Sequence, residues 1–376
     1  MNKRVFRSDI LLILTAAIWG FGFVAQRSGM EYIGPFAFNG IRFILGSISL
    51  LPFIFFRRNR LNRSVSCARE TSLQYAGSCA APAASALPLK QLLLPSFAAG
   101  SCIFIAVMLQ QIGIIFTTAG NAGFITGLYV VLTPFFGIFL GRKTGIPTWV
   151  GSVLTFAGLY FISVAGSSGS INPGDIIIVF SAFFWTVHVL LIDRLMNKAN
   201  NVKYAHNAGQ DSSAESAVYI PMDPLELSAG QFAVCGVFSM FGAFLAEPFI
   251  GPVVERIDPS LLSAGLFAWK PFPALVSALG AGTVSLSVEA LIPILYGGLA
   301  SVGIAYTLQV VAQRDAPPAH ATIILCFEGC FAAIGGAILL AEKAGNWTLL
   351  GFIFMLAGML ATQWDVIVKA QKSAKE

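Results

Sequence analysis

The chain reads as an all-α membrane protein, with ten transmembrane helices in two inverted five-helix repeats. Three observations predict this. Of 376 residues, 56% are hydrophobic and only 11% charged, whereas a soluble surface needs roughly 25%. Ten apolar runs approach or exceed the roughly 20 residues that a helix needs to cross a hydrocarbon core of about 30 Å. One segment is written twice: DILLILTAAIW at Asp9–Trp19 returns as DIIIVFSAFFW at Asp175–Trp185, with no gap and an offset of 166.

The runs lie at 10–27, 36–56, 92–112, 118–140, 148–166, 174–194, 228–250, 289–312, 318–341 and 347–367. They are continuous rather than alternating, which favours helices over strands. Run 1 follows Lys3, Arg4 and Arg7, as a signal peptide would. It has no clear small-x-small cleavage site, and its near-copy lies mid-chain, so it is read as a retained span.

The basic residues set the orientation. With the N-terminus in the cytoplasm, 18 of the 23 Lys and Arg residues fall on the inner side. Four fall outside (Arg27, Arg256, Lys270 and Lys343), and Arg42 lies within run 2. Positive charge stays cytoplasmic, so both termini are expected inside, in a bacterial inner membrane. The net charge of +5 sits in short loops and reports topology. No nucleic-acid partner is expected; the expected partners are the lipid bilayer and a small-molecule substrate, with a homodimer left open. Three connections are long: basic 57–91, polar 197–222, and the mildly apolar outer segment 251–288, a candidate interfacial helix.

The duplication extends past the opening pair. Leu109-Gln110 followed by Asn121-Ala122 matches Leu308-Gln309 followed by His320-Ala321. Thr148, Gly151 and Gly158 recur as Thr348, Gly351 and Gly358. Residues 1–166 and 167–376 are therefore two copies of one unit. Five spans is an odd number, so the second copy enters from the opposite face. Inverted repeats are a plan of secondary transporters, with the binding site near the midplane.

Several stretches carry a family likeness: IWGFGFVAQRSGMEYIGPFAFNGIRF, TTAGNAGFITGLYVVLTPFFGIFLGRK, DPLELSAGQFAVC, YTLQVVAQRDAPPAHATIIL and AEK. Together they resemble the EamA family of drug/metabolite transporters. The resemblance implies a ten-span permease for a small metabolite, with no enzymatic activity and no cofactor. One departure stands in run 9, where the family's Glu-Pro is Glu328-Gly329. Losing Pro removes a kink, while Gly still permits bending.

Ionisable groups inside a bilayer are costly and mark function by default. Glu328, near the middle of run 9, is a carboxyl able to hold a cation or change its protonation. Arg42 in run 2 can grip an anion with two parallel contacts, against the bland alternative of snorkelling. Asn39, one turn earlier, shares its face. Asn121 and His320 start runs 4 and 9 at equivalent positions, where helix N-termini favour anions. His188 in run 6 is weighed mainly as structural. Trp19 and Trp185 are repeat partners and candidate aromatic walls. Tyr129 is offset from Glu328 by 199 and is its counterpart. Gln110, Gln111, Tyr306 and Gln309 offer neutral hydrogen bonds.

Two rival classes are a membrane-embedded enzyme acting on a lipid or lipid-linked group, and a non-transporting receptor. Only three His occur, scattered at 188, 206 and 320. Neither HExxH nor GxSxG is present, and no GxxxxGK[ST] phosphate loop suggests ATP hydrolysis by the chain itself.

Overall fold

The computed structural model describes residues 3–74, 89–139, 145–163, 165, 172–207, 223–249, 288–312, 324–325, 327–362 and 364. Regular structure among them is helical throughout. Helices α1 (Lys3–Gly29), α2 (Pro35–Gln74) and α3 (Leu89–Phe116) carry runs 1 to 3. Run 4 is split into α4 (Ala119–Thr126) and α5 (Tyr129–Phe139), and α6 (Ile146–Ser163) is run 5. Runs 6 and 7 are α7 (Pro173–Asn207) and α8 (Pro224–Leu245). Run 8 is composite: α9 (Val288–Leu295), a π-helical segment (Tyr296–Ala305) and α10 (Tyr306–Ala312). Helices α11 (Glu328–Leu339) and α12 (Asn346–Thr362) carry runs 9 and 10. Among the described residues, six helices are long and apolar enough to cross a membrane, and four shorter apolar helices fall in runs 4, 5, 9 and 10.

Two connections are shorter than expected. Helix α2 continues to Gln74, into the basic 57–91 connection, and α7 continues to Asn207, into 197–222. Both extensions lack Gly and Pro until Gly77 and Gly209, so nothing in them breaks the helix as it leaves the apolar run. Nearly all of 251–288, with its candidate interfacial helix, lies outside the described residues.

The packing repeats when the halves are exchanged. Helix α2 lies along α8, α6 along α12, and α4 along α11. These are runs 2 with 7, 5 with 10, and 4 with 9, each joining equivalents. The pair α3–α7 (runs 3 and 6) matches the packing of α1 on run 8. Individual contacts obey the same rule. Between α2 and α8 the offset is 189, so Arg58 answers to Glu247 and Ala37 to Glu226. Arg58 pairs with Glu226 at 2.7 Å, and at the other end Glu247 accepts from the Ala37 N–H at 3.2 Å. The duplicated glycines close α6 on α12. A Cβ on Gly158 would lie 2.7 Å from the Gly351 carbonyl, and one on Gly351 would lie 2.7 Å from the Gly158 carbonyl. Only glycine allows that approach, which brings two backbones together where lipid offers no hydrophobic drive.

Candidate functional site

Two helices are broken at the same place in the two halves. In run 4, the Leu128 N–H bonds the Ile125 carbonyl at 3.0 Å, a tight three-residue turn, and the chain resumes with Leu132 on Leu128 at 2.9 Å. In run 9, 199 residues later, Phe327 bonds Ile324 at 3.2 Å, and Phe331 bonds Phe327 at 3.0 Å. The turn residues Gly127 (φ −56°, ψ −12°) and Phe327 (φ −69°, ψ −6°) stay right-handed. Each turn tightens the ladder without reversing it. The ladder of run 9 is thus interrupted without the family's proline, one residue before Glu328. The repeat partners Tyr129 and Glu328 are the first residues after the two breaks, opening α5 and α11.

Glu328 is buried, and no hydrogen bond or ion pair joins its carboxyl to a described residue. Helix α1 presses against its backbone. A Cβ on Gly20 would stand 2.6 Å from the Glu328 carbonyl oxygen, so this contact requires glycine. Next to Gly20, the Trp19 indole donates to the Ser301 carbonyl in the π segment at 3.0 Å. Trp19 also meets the Tyr306 ring edge-on, with centroids 5.3 Å apart. Tyr306 lies within electrostatic reach of Glu328, Cys235 and Arg42.

From Tyr306 the rings continue to Phe232 at 4.8 Å and on to Phe43 at 5.6 Å. The Arg42 guanidinium sits over Phe43 at 5.0 Å and Phe38 at 5.5 Å. Arg42 is 4% exposed, its Nε is sealed without a partner, and no hydrogen bond or ion pair joins it to a described residue. Snorkelling would leave the charge in water, which this burial excludes. Asn39 shares the helix face but serves a neighbour. Its Nδ2 donates to the Val107 carbonyl at 3.2 Å and contacts Met108 Sδ at 3.2 Å, tying α2 to α3.

A second polar group is fully bonded at its centre. The Trp185 indole donates to Gln110 Oε1 at 2.9 Å, and Gln110 Nε2 donates to Gln26 Oε1 at 2.9 Å. Gln26 donates to the Gly22 carbonyl at 3.2 Å, and Gln111 donates to the Gln26 carbonyl at 3.1 Å. His188 meets Gln231 at 2.8 Å, with its ring edge-on to Trp185. This network joins α1, α3, α7 and α8, and it makes His188 a bonded structural residue.

The structure therefore brings Trp19, Tyr306, Arg42 and Glu328 together. It places Trp185 and Gln110 in a neighbouring network and Asn39 in a helix contact. Asn121 is elsewhere, half-buried in the first turn of α4. That N-terminus is already filled: Glu342 accepts from the Ala119 N–H at 2.8 Å and the Gly120 N–H at 3.4 Å, and Thr118 Oγ1 caps Asn121 N at 3.0 Å. An anion would have to displace the chain's own carboxylate there. Tyr129 and Gln309 are half-buried, in α5 and α10. His320 lies outside the described residues. Sequence reasoning missed Gln26, Phe38, Phe43, Phe232 and Gln231. Gln231 had a signal, since it is the repeat partner of Arg42 at the 189 offset. The phenylalanines had none, because Phe is ordinary in a lipid-facing run.

The EamA-like transporter family model matches residues 6–164 and 216–363, one match in each half. The chain belongs to this family. An "Uncharacterized transporter" of Archaeoglobus fulgidus is 30% identical over 199 residues, spanning 53% of this chain and 52% of its own length. A second from the same organism is 22% identical over 366 residues, covering 96% and 98%. The "Uncharacterized inner membrane transporter YedA" of Escherichia coli K12 is 22% identical over 288 residues, 72% of this chain and 81% of that protein. One solved structure, described only as "Crystal structure of protein", shares the fold over 94% of this chain and 95% of its own, with TM-score 0.51 and 13% identity. The EamA match and the apolar helices together make this an integral membrane protein of a transporter family.

Proposed function

We propose that this EamA-family protein is a ten-span secondary transporter that moves a small metabolite by alternating access, with both termini cytoplasmic and Glu328 coupling transport to an ion. One observation carries the reading: two spans break at the same repeat position, and the second break presents a buried carboxyl that no described residue pairs with. Broken spans at the interface of inverted repeats build substrate and ion sites near the midplane. The exchange symmetry of the packing supports two faces of comparable energy. The site reading comprises Trp19, Tyr306, Arg42 and Glu328 as the core, with Gln110, Trp185 and Gln309 on the flanks. Asn39, Asn121, Tyr129 and His320 are weaker members of the same proposal. Reconstituted protein should accumulate a metabolite from a panel when a pH or sodium gradient is imposed, and Glu328→Gln should not. Equal accumulation by both proteins would remove Glu328 from coupling, and none by the wild type across the panel would count against transport. Accessibility tags should find residues 57–91 inside and 251–288 outside; the reverse would undo the ten-span topology.

A further inference from the structure

Among the described residues, Arg42 is a charge without a counter-charge. It is 96% removed from solvent, judged by its 4% exposure, and lies against two phenyl rings. A cation over a ring gains less than it costs to take an ion out of water, even after relaxation. The rings alone do not offset that cost. The acids that open α8 lie far from Arg42 along α2: Asp223 pairs with Arg57 and Glu226 with Arg58, about four turns beyond Arg42. Among the described residues, no ion pair joins Arg42 to Glu328.

Resting on the transporter reading above, we infer that the substrate is a small organic monoanion, a carboxylate with an apolar, flat body. Its carboxylate docks on Arg42, and its body lies along Trp19, Tyr306 and Phe232. A single unpaired guanidinium balances one negative charge. A phosphate monoester would bring a second charge that no described cation at this site meets, which is costly in so apolar a place. Carboxylate matches the flat guanidinium with two parallel hydrogen bonds. The chain of rings from Trp19 to Phe43 provides the apolar surface leading to that charge.

The test uses the full chain in detergent. Thermal unfolding is followed with benzoate, phenylacetate and 3-phenylpropionate, and with their primary amides and matching amines. A ligand of the native state raises the unfolding temperature as its concentration rises. At least one acid should do so, and its amide and amine should not. Arg42→Lys should weaken that acid about tenfold, because the two-pronged contact is lost, and Arg42→Gln should abolish binding. If no acid binds, if an amide or amine binds as well as its acid, or if Arg42→Gln binds normally, the inference is overturned. Should the variants fail to fold, a diazirine-bearing analogue of the binding acid gives the answer on the wild type, read by peptide mass spectrometry. It should crosslink within Phe38–Phe43 or at Phe232 and be competed off by the acid; crosslinking only elsewhere would overturn the assignment. The two readings fail differently. Proteoliposome uptake confined to neutral or cationic solutes would keep the transporter and remove the carboxylate. Binding of the acid without translocation would do the opposite.

Discussion

Runs 3 and 8 hold matching places in the two halves, 199 residues apart, and they are not the same helix. Run 3 is one α-helix, Leu89–Phe116, whereas run 8 passes through ten π-helical residues, Tyr296–Ala305. The sequence offers a cause. Run 8 has Gly297, Gly298 and Gly303 where run 3 has Ala98, Ala99 and Phe104. Glycines weaken a regular helix, and here they also admit α2: a Cβ on Gly298 would lie 2.8 Å from Leu45 Cβ. Proline does not distinguish the two runs, since α3 holds Pro95 as α9 holds Pro293. The irregular run then offers its Ser301 carbonyl to Trp19, while the matching tryptophan, Trp185, bonds a side chain, Gln110. The frame is shared between the halves, and the chemistry differs. Arg42 answers to Gln231, Glu328 to Tyr129, and Tyr306 to Val107. In the transporter proposed above, symmetry would supply two comparable conformations, and the unmatched residues what is bound and what is coupled.

The largest effect should come from breaking the Glu328–Tyr129 contrast. Glu328→Gln keeps shape and hydrogen bonding but removes titration. It should reduce gradient-driven accumulation to the level of protein-free liposomes, while exchange of bound substrate continues. Tyr129→Phe, at the matching position, should leave accumulation in place. Parallel loss in both variants would mean that the break matters and the carboxyl does not.

The Arg42–Gln231 contrast separates function from structure. Gln231 is the partner of buried His188. Gln231→Leu leaves that imidazole unpaired, which costs about 1–3 kcal/mol. The loss should appear as a lower unfolding temperature with carboxylate binding kept, the reverse of Arg42→Gln. Loss of binding in Gln231→Leu without loss of stability would place Gln231 in the site.

Much of the fold was legible because lipid imposes long apolar runs and because the repeat is written in the sequence. The α6–α12 contact could be read from Gly151, Gly158, Gly351 and Gly358. Glu328 and Arg42 were legible as charges in apolar runs. The aromatic chain was not, since nothing in the sequence separates Phe232, which faces Tyr306, from Phe241, which is exposed. The anion at the start of α4 was illegible for another reason. A helix N-terminus does attract anions, but which anion arrives is a tertiary matter, and Glu342 lies 221 residues away in the sequence.

A smaller effect should sharpen the Trp19–Trp185 contrast. Phenylalanine at either position keeps the ring and loses one hydrogen bond, about 0.5–1.5 kcal/mol. Trp19→Phe frees a carbonyl of the π segment, so backbone amide exchange should quicken in run 8 and hold steady in run 3. Trp185→Phe frees a side chain, so run 3 amides should be little changed. Faster exchange in both runs from either variant would show the halves to be one cooperative unit.

The smallest effect concerns the end of the bundle where Glu342 caps α4. Its counterpart at the 199 offset is Lys143, of opposite sign. Burial pushes the Glu342 carboxyl above the ordinary carboxylate range, although the Ala119 and Gly120 amides and the charge of Arg27 pull it back. With the folded value above the unfolded one, the protonated form is favoured on folding. The stability it contributes is complete below the unfolded value and is lost as pH rises through the folded value. Glu342→Gln fixes a neutral side chain that can still accept an amide hydrogen bond. Wild type and variant should therefore unfold at the same temperature in acid. As pH rises towards neutrality the wild type should fall behind the variant, by less than about 2 °C for a chain of this size. A wild type that instead gains on the variant with rising pH would mean that the helix-end amides and Arg27 outweigh burial. The capped end would then be held by charge rather than in spite of it.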